Sequence, residues 1–364
     1  MASLNFTPLV CDPKIFIRRT GESFVIVGTH VDDNMVAATS VALRDEFLRE
    51  IGDLYTITTV IDPTMFLGIT ISRDRENNTL EISQPQYIQS LLEKHDIPLV
   101  EKNPPSTPMV CIDTDPTSPV IPSPYLPISA ITNYQSRIGG LLYLAIMTRP
   151  DILYAVITLS QHTQSPTEHD MAAVDRLLRY VAGTIDLTMK YNKSTSSDLQ
   201  LSAYADASYN VHHDNKSHSG LLVCLGTYSA PLLYSSKKQT ITADSSTVAE
   251  LIAAHAVTKE LQWTINMLQE LGFSLPTTPI LHQDNMSTIK IVHQPGNSGK
   301  TKHISLRYNI VRELCANGII KVQYLATEEM IADILTKALG PTAFLHLRPL
   351  LMGHGNGNTT TSAV

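Results

Sequence analysis

The chain has 364 residues, 43 % of them hydrophobic, and a formal net charge of -7. That apolar content is too high for a chain disordered as a whole, and the acidic balance excludes a protein that merely coats a polyanion, whose lysines and arginines would outnumber its acids. Cys11, Cys111, Cys224 and Cys315 lie far apart with no C-x-x-C pair, so neither a zinc knuckle nor a disulfide framework is indicated, and a reducing, intracellular setting is expected. The strongest apolar run, Leu141 to Met147, falls short of the roughly 20 residues that span a bilayer, and no basic-then-apolar leader opens the chain, so no membrane partner is expected.

In chain order, Ile15 to Arg18 and Phe24 to Val27 flank Thr20-Gly21-Glu22 as a hairpin, and Phe66 to Ile71 and Leu80 to Ile82 flank a second turn at Glu76-Asn77-Asn78. Val41 to Ile51 and Pro85 to His95 carry apolar residues at helical spacing. From Pro98 to Pro127 lie nine of the 21 prolines, a composition that predicts an extended, poorly packed linker. Tyr134 to Ile146, Pro150 to Gln161 and Glu168 to Val181, closed by Gly183, predict a mostly helical block. Three short strands follow, Leu199 to Ala205, Gly220 to Leu225 and Pro231 to Tyr234, then a long helix from about Thr247 to Leu271. A strand (Ile280 to His282), helices, a strand (Ile319 to Tyr324) and a closing helix from about Glu328 complete a mixed sheet with flanking helices. The Gly-, Asn- and Thr-rich residues from Gly353 onward predict a disordered tail. The whole is an α+β to α/β chain.

The acids of the last block are the candidates for catalysis. Two-metal phosphodiester hydrolysis needs several carboxylates from separate elements converging on two cations. Taken singly, Asp206 at a strand end suits a turn, Asp284 between a strand and a helix suits a cap, and Asp333, off the apolar stripe of Ile331, Ile334, Leu335 and Ala338, suits a solvated charge. Glu250 differs: it heads a stripe with Ala254, Val257, Leu261, Ile265 and Leu268, and a carboxylate facing a core is costly unless paired or metal-bound. The other explanation for it is attraction to the helix N-terminus near Ser245 and Ser246.

Read together, six motifs occur in order: Tyr204-Ala205-Asp206-Ala207-Ser208, Ser235-Ser236-Lys237-Lys238-Gln239-Thr240, Ser245-Ser246-Thr247-Val248-Ala249-Glu250, Gln283-Asp284-Asn285, Lys302-His303-Ile304 with Arg307-Tyr308 and Arg312-Glu313, and Ala332-Asp333-Ile334-Leu335-Thr336-Lys337. They resemble the ribonuclease H domain of copia-type LTR-retrotransposon Pol polyproteins. The resemblance implies a ribonuclease H fold over residues 196–340 whose four carboxylates are Asp206, Glu250, Asp284 and Asp333. It further implies two Mg²⁺ ions, replaceable by Mn²⁺, and an RNA/DNA hybrid whose RNA strand is hydrolysed. From Ser196 to Gly340 there are 11 Lys and Arg against 12 Asp and Glu, so four metal-bound carboxylates would leave the remaining surface mildly basic. Lys237, Lys238, Lys300, Lys302 and Arg307 are then candidates for phosphate contacts. Two departures from the family pattern, Ser305 after His303-Ile304 and the lack of a His between Tyr324 and Asp333, bear on rate rather than on the ligand set.

At the front, Phe24 to Val31 is an apolar strand that runs into Asp32-Asp33. With Cys11-Asp12-Pro13 before it, Phe66-Leu67-Gly68-Ile69 after it, and Ser106-Thr107-Pro108-Met109 and Thr148-Arg149-Pro150-Asp151 further on, this resembles the reverse-transcriptase palm of the same Pol family, whose Tyr-Val-Asp-Asp is here His30-Val31-Asp32-Asp33. The resemblance implies a partial palm at 1–97, a linker at 98–128, a thumb and connection at 129–195, the ribonuclease H-like segment at 196–340 and a partly disordered tail at 341–364. Other Pol or reverse-transcriptase chains are possible partners, in the cytoplasm, within virus-like particles, or in the nucleus. A decayed remnant that binds nucleic acid or a Pol partner without catalysis is the competing reading. A transposase or integrase on the same fold would need a different acidic order and a DNA-binding appendage. Only 31 residues precede Asp32, with Asp12 the sole upstream Asp, so fingers and a third palm carboxylate are expected to be lacking. The purified chain alone is accordingly expected not to extend a primer; extension that Asp32→Asn abolishes would contradict this.

Overall fold

A computed structural model describes residues 1–99, 103–111, 123–193, 199–212, 214–226, 229–293 and 305–355. The chain divides into two units, the first formed by Met1–Pro63 with Lys259–Leu275 and the second by Thr64–Thr258 with Pro276–Val364.

The first unit holds an antiparallel meander of β1 (Thr7–Pro8), β2 (Ile15–Thr20), β3 (Ser23–His30) and β4 (Asp33–Ala38), in that order. Its first hairpin is the expected one: Thr20 pairs with Ser23, and Gly21 takes φ +60° in the two-residue turn, where a side chain would be strained. Val25 and Val27 point inward to Phe6 and to Phe47 of α1 (Val41–Gly52), and the two Phe rings meet edge to face at 5.2 Å. Ser40 caps α1, its hydroxyl accepting from the Leu43 N–H at 3.2 Å. In the returning segment, the Trp263 indole donates to the Cys11 carbonyl at 3.2 Å, and the Arg19 guanidinium lies over the Phe24 and Phe273 rings.

The second unit begins with another meander, β5 (Met65–Phe66), β6 (Ile69–Asp74), β7 (Thr79–Ser83) and β8 (Met189–Asn192). The single strand expected from Phe66 to Ile71 is broken, because Leu67 and Gly68 both take positive φ and turn the chain between β5 and β6. The helices α2 (Pro85–Lys94), α3 (Ile128–Met147), α4 (Leu153–Ser160) and α5 (Glu168–Ala182) match the expected periodicity. A reciprocal capping box between Thr167 and Asp170 starts α5. The helical stretch also supplies β8, paired with β7 through Thr79↔Asn192. The proline-rich stretch packs better than its composition suggests where it is described: Thr107 is buried, and Arg176 of α5 donates to both its carbonyl and its hydroxyl.

Beneath these helices lies a buried ionic network. Arg149 and Asp151 form a two-pronged pair at 2.8 and 2.9 Å with their side chains 1 % and 0 % exposed. Tyr180 donates to Asp151 at 2.7 Å, Arg149 also binds Thr184, and Arg348 donates to the Tyr180 oxygen at 3.1 Å. Burial opposes ionisation of Asp151, but Arg149 and Tyr180 overcome it and hold its carboxyl below the ordinary range.

The second sheet contains β9 (Leu201–Ser208), β10 (His218–Leu225), β11 (Pro231–Lys238), β12 (Ile280–Gln283) and β13 (Lys321–Tyr324) in the order β11-β10-β9-β12-β13. The first three are antiparallel, and β12 runs parallel to both β9 and β13. With α6 (Ser246–Glu270), α7 (Met286–His293) and α8 (Ser305–Ala316) this is a ribonuclease H-like arrangement, and the expected stripe on α6 is buried from Glu250 to Leu268. The expected closing helix from Glu328 is instead two 3-10 turns, Thr327–Glu329 and Ile331–Leu335, separated by the extended Met330. The chain then enters α9 (Pro341–Leu351), whose Phe344, Leu347 and Leu351 join the main core. Gly353 is tied down by Asn192, which donates to its carbonyl at 2.8 Å, and the rest of the predicted tail, 356–364, lies outside the described residues.

Removing one partner of a buried pair strands the other charge, so Asp151→Ala is expected to lower stability by about 3–5 kcal/mol, whereas the double change Arg149→Met with Asp151→Leu should cost far less. Urea unfolding at neutral pH measures both.

Candidate active site

Asp206 and Asp284 meet because β9 and β12 are parallel neighbours. The ladder pairs Ile280 with Ser202 and His282 with Tyr204, and continued by two residues it brings Asp284 level with Asp206. Asp206 lies within β9 rather than at its end and is 4 % exposed. Asp284 is not the cap of α7: Asn285 is, accepting from the N–H groups of Ser287 and Thr288, both at 3.0 Å. Asp284 instead accepts from the Thr327 hydroxyl at 3.0 Å.

Glu250 arrives from α6, where Ser245 supplies the hydroxyl at the helix start, accepting from the Val248 N–H at 3.4 Å. Its carboxylate accepts from the buried Gln283 amide at 2.9 Å. Oxygens of Asp206, Glu250 and Asp284 all lie within 4.8 Å of one another. Asp333 completes the set from the second 3-10 turn. Its single-residue reading as a solvated charge is corrected, since it is 5 % exposed because the whole turn Ile331–Leu335 is buried against the sheet. Gly220, paired with Asp206 across β10, makes room for that turn: a Cβ there would lie 2.6 Å from Thr336 and 2.8 Å from the Ala332 carbonyl. The motif residues after Asp333 also take part. Thr336 donates its hydroxyl to Asp206, and the Lys337 ammonium lies 2.8 Å from Asp333 and 3.9 Å from Asp206. Sequence reasoning gave Lys337 no role, although its four-residue spacing from Asp333 was a signal for the pair.

Asp206 and Asp333 thus flank the Lys337 ammonium beside the cluster of Asp206, Glu250 and Asp284, and the proton affinities of Glu250, Asp284 and Asp333 respond. Burial, then Asp206 and Asp284, push Glu250 well above the usual carboxylate range. Burial and Asp206 also raise Asp284, and the same two causes lift Asp333 to about 8. Lys337 is raised despite partial burial, because Asp206 and Asp333 favour its charge. A hard cation fits such a set: the donors are all oxygen and close together, and one buried oxygen of Asp333 has no hydrogen-bond partner.

The remaining candidates lie elsewhere. Asp32 and Asp33 are exposed at the β3–β4 turn of the first unit, where Val31 takes φ +53°, an unusual conformation for a β-branched residue. Lys237 is exposed on β11, and Lys238 pairs with Asp214 at 2.9 Å. Lys300 and Lys302 lie outside the described residues, as does the side chain of Arg307.

A carboxyl whose pKa is raised by folding binds its proton better in the native state, so stability is present at low pH and is lost as pH rises through the folded value. In EDTA the melting temperature is expected to fall between about pH 5 and about pH 8.5, and Asp333→Asn should flatten that fall. An unchanged slope in the variant would exclude Asp333 as its source.

Residues 1–111 match the family model described as reverse transcriptase (RNA-dependent DNA polymerase). The retrovirus-related Pol polyprotein from transposon RE1 of Arabidopsis thaliana is 32 % identical over 351 residues, covering 94 % of this chain and 23 % of the relative. The putative transposon Ty5-1 protein of Saccharomyces cerevisiae is 30 % identical over 68 % of this chain and 77 % of its own length. Among solved structures, LC11-RNase H1 in complex with RNA/DNA hybrid is 13 % identical, covers 38 % of this chain and 94 % of that one, and has a TM-score of 0.30. The chain spans about a quarter of the length of the Pol polyproteins it matches first. By its sequence identity to these relatives, with a reverse-transcriptase segment in front of a ribonuclease H-like sheet, the chain belongs to the copia-type retrotransposon Pol polyproteins.

Proposed function

We propose that residues 196–340 are a metal-dependent ribonuclease H that hydrolyses the RNA strand of RNA/DNA hybrids, with Asp206, Glu250, Asp284 and Asp333 as ligands of two Mg²⁺ ions for which Mn²⁺ can substitute. The observation that carries this reading is that oxygens of Asp206, Glu250 and Asp284, carried by separate parts of the fold, lie within 4.8 Å of one another, with Asp333 linked to Asp206 through the Lys337 ammonium. Bound divalent ions would supply the charge that activates water and stabilises the leaving oxygen. The chain's own part is to hold the ligands: Thr336 fixes Asp206, Gln283 orients Glu250 and Thr327 restrains Asp284.

In the same reading, residues 1–97 are palm with Asp32 and Asp33 on its acidic hairpin, 98–128 are the linker, 129–195 are thumb and connection, and 341–364 are a C-terminal segment whose first part, α9, packs into the core. Lys237 and Lys238, with Lys300, Lys302 and Arg307, meet substrate phosphates. The partners are an RNA/DNA hybrid and other Pol chains, in an intracellular setting; among the described residues no helix is long and apolar enough to cross a membrane.

Cleavage of a labelled RNA/DNA hybrid in Mg²⁺ and then in Mn²⁺ tests the proposal. The expected result is cleavage that Asp284→Asn reduces by more than about 100-fold, since even supporting residues of metal ligands account for 10–100-fold. No cleavage in either metal by folded protein overturns it in favour of a non-catalytic remnant.

A further inference from the structure

The four carboxyl groups do not share Lys337 equally. Its ammonium lies 2.8 Å from one oxygen of Asp333 and 3.9 Å from the Asp206 oxygen that also accepts from Thr336. The cluster of mutually close oxygens is a different subset, Asp206, Glu250 and Asp284, and Asp333 is not among them. One half of the site therefore offers three carboxylates to an incoming cation. The other half, between Asp206 and Asp333, already holds a positive charge. That charge has a way out: the Lys337 side chain is 39 % exposed, and its four-carbon stem lets the ammonium swing while the backbone stays fixed.

We propose that the Lys337 ammonium is the resident cation of the Asp206–Asp333 half of the site, and that a divalent ion enters that half only by displacing it. The two metal positions then fill unequally. The three-carboxylate half fills first, and the second ion binds weakly because it must compete with a tethered charge at contact distance. The buried Asp333 oxygen that has no hydrogen-bond partner is the donor left for the ion that succeeds. This inference rests on the nuclease reading above, and it makes Lys337 a regulator of metal occupancy rather than a ligand.

The test is Mn²⁺ binding to the full metal-stripped chain, with free ion counted by electron paramagnetic resonance and affinities taken from calorimetry. Wild-type protein is expected to bind one ion and then a second at least about tenfold more weakly. Lys337→Met should tighten the second event by at least about tenfold and leave the first within about threefold, while Lys337→Arg, which keeps the charge, should retain the weak second site. Thermal unfolding checks that each variant is folded, and Lys337→Gln replaces the Met variant if that one is not. Two equal sites in wild type, or a second affinity that Lys337→Met and Lys337→Gln leave unchanged, overturn the proposal while the nuclease reading stands. Absence of any Mn²⁺ binding by wild type overturns both.

Discussion

The structure of the second unit is organised around a repulsion. Glu250, Asp284 and Asp333 are each held close enough to Asp206 for its charge to oppose their ionisation, and collecting buried carboxylates costs several kcal/mol that the surrounding fold must offset. The parallel β9–β12 ladder fixes the first and third acids at one level, and the buried stripe of α6 anchors the second. The fourth depends on a missing side chain: only a glycine at position 220 lets the 3-10 turn carrying Asp333 lie flat on the sheet beside Asp206. A more relaxed arrangement of the same acids would be easier to fold and would attract a cation less strongly.

The helical part of the same unit supports that turn from behind. Ile331, Ile334 and Leu335 belong to the core that also contains α3, α4, α5 and α9. Asp151, Tyr154, Ile334, Lys337 and Phe344 line one small cavity, so the buried Arg149–Asp151 pair is a near neighbour of the acidic site. The Thr-Arg-Pro-Asp motif therefore has a physical office: it clamps α5 and α9 through Tyr180 and Arg348, and α9 packs beside the turn that holds Asp333.

Much of this was legible because periodicity and punctuation are local. The Gly21 hairpin, the α6 stripe and the helix from Glu168 follow from residues adjacent in the chain. The misreadings are tertiary. Phe66 and Ile69 look like one strand until Leu67 and Gly68 adopt positive φ, and Asp333 looks solvated because the turn around it is helical in composition but is flattened against a sheet by Gly220. Asp284 had the position of a cap, yet Asn285 next to it took that role and released the acid. Lys337 was visible only as one letter of a motif, since its meaning lies in what stands across from it. For Asp206, Asp284 and Asp333, single-residue reasoning favoured bland explanations, and it was the order of the acids along the chain that joined them.

The parallel pairing of β9 with β12 has a consequence for synthesis. Antiparallel strands can be joined by a tight turn, but a parallel pair needs a long crossover. Here the crossover carries β10, β11 and α6 before β12 can dock, and the turn bearing Asp333 comes later still. The site thus joins segments far apart in the chain, which meet only once the crossover between them has docked. A nascent or nicked polypeptide can own each acid and still lack the arrangement that brings Asp206, Glu250 and Asp284 within 4.8 Å of one another.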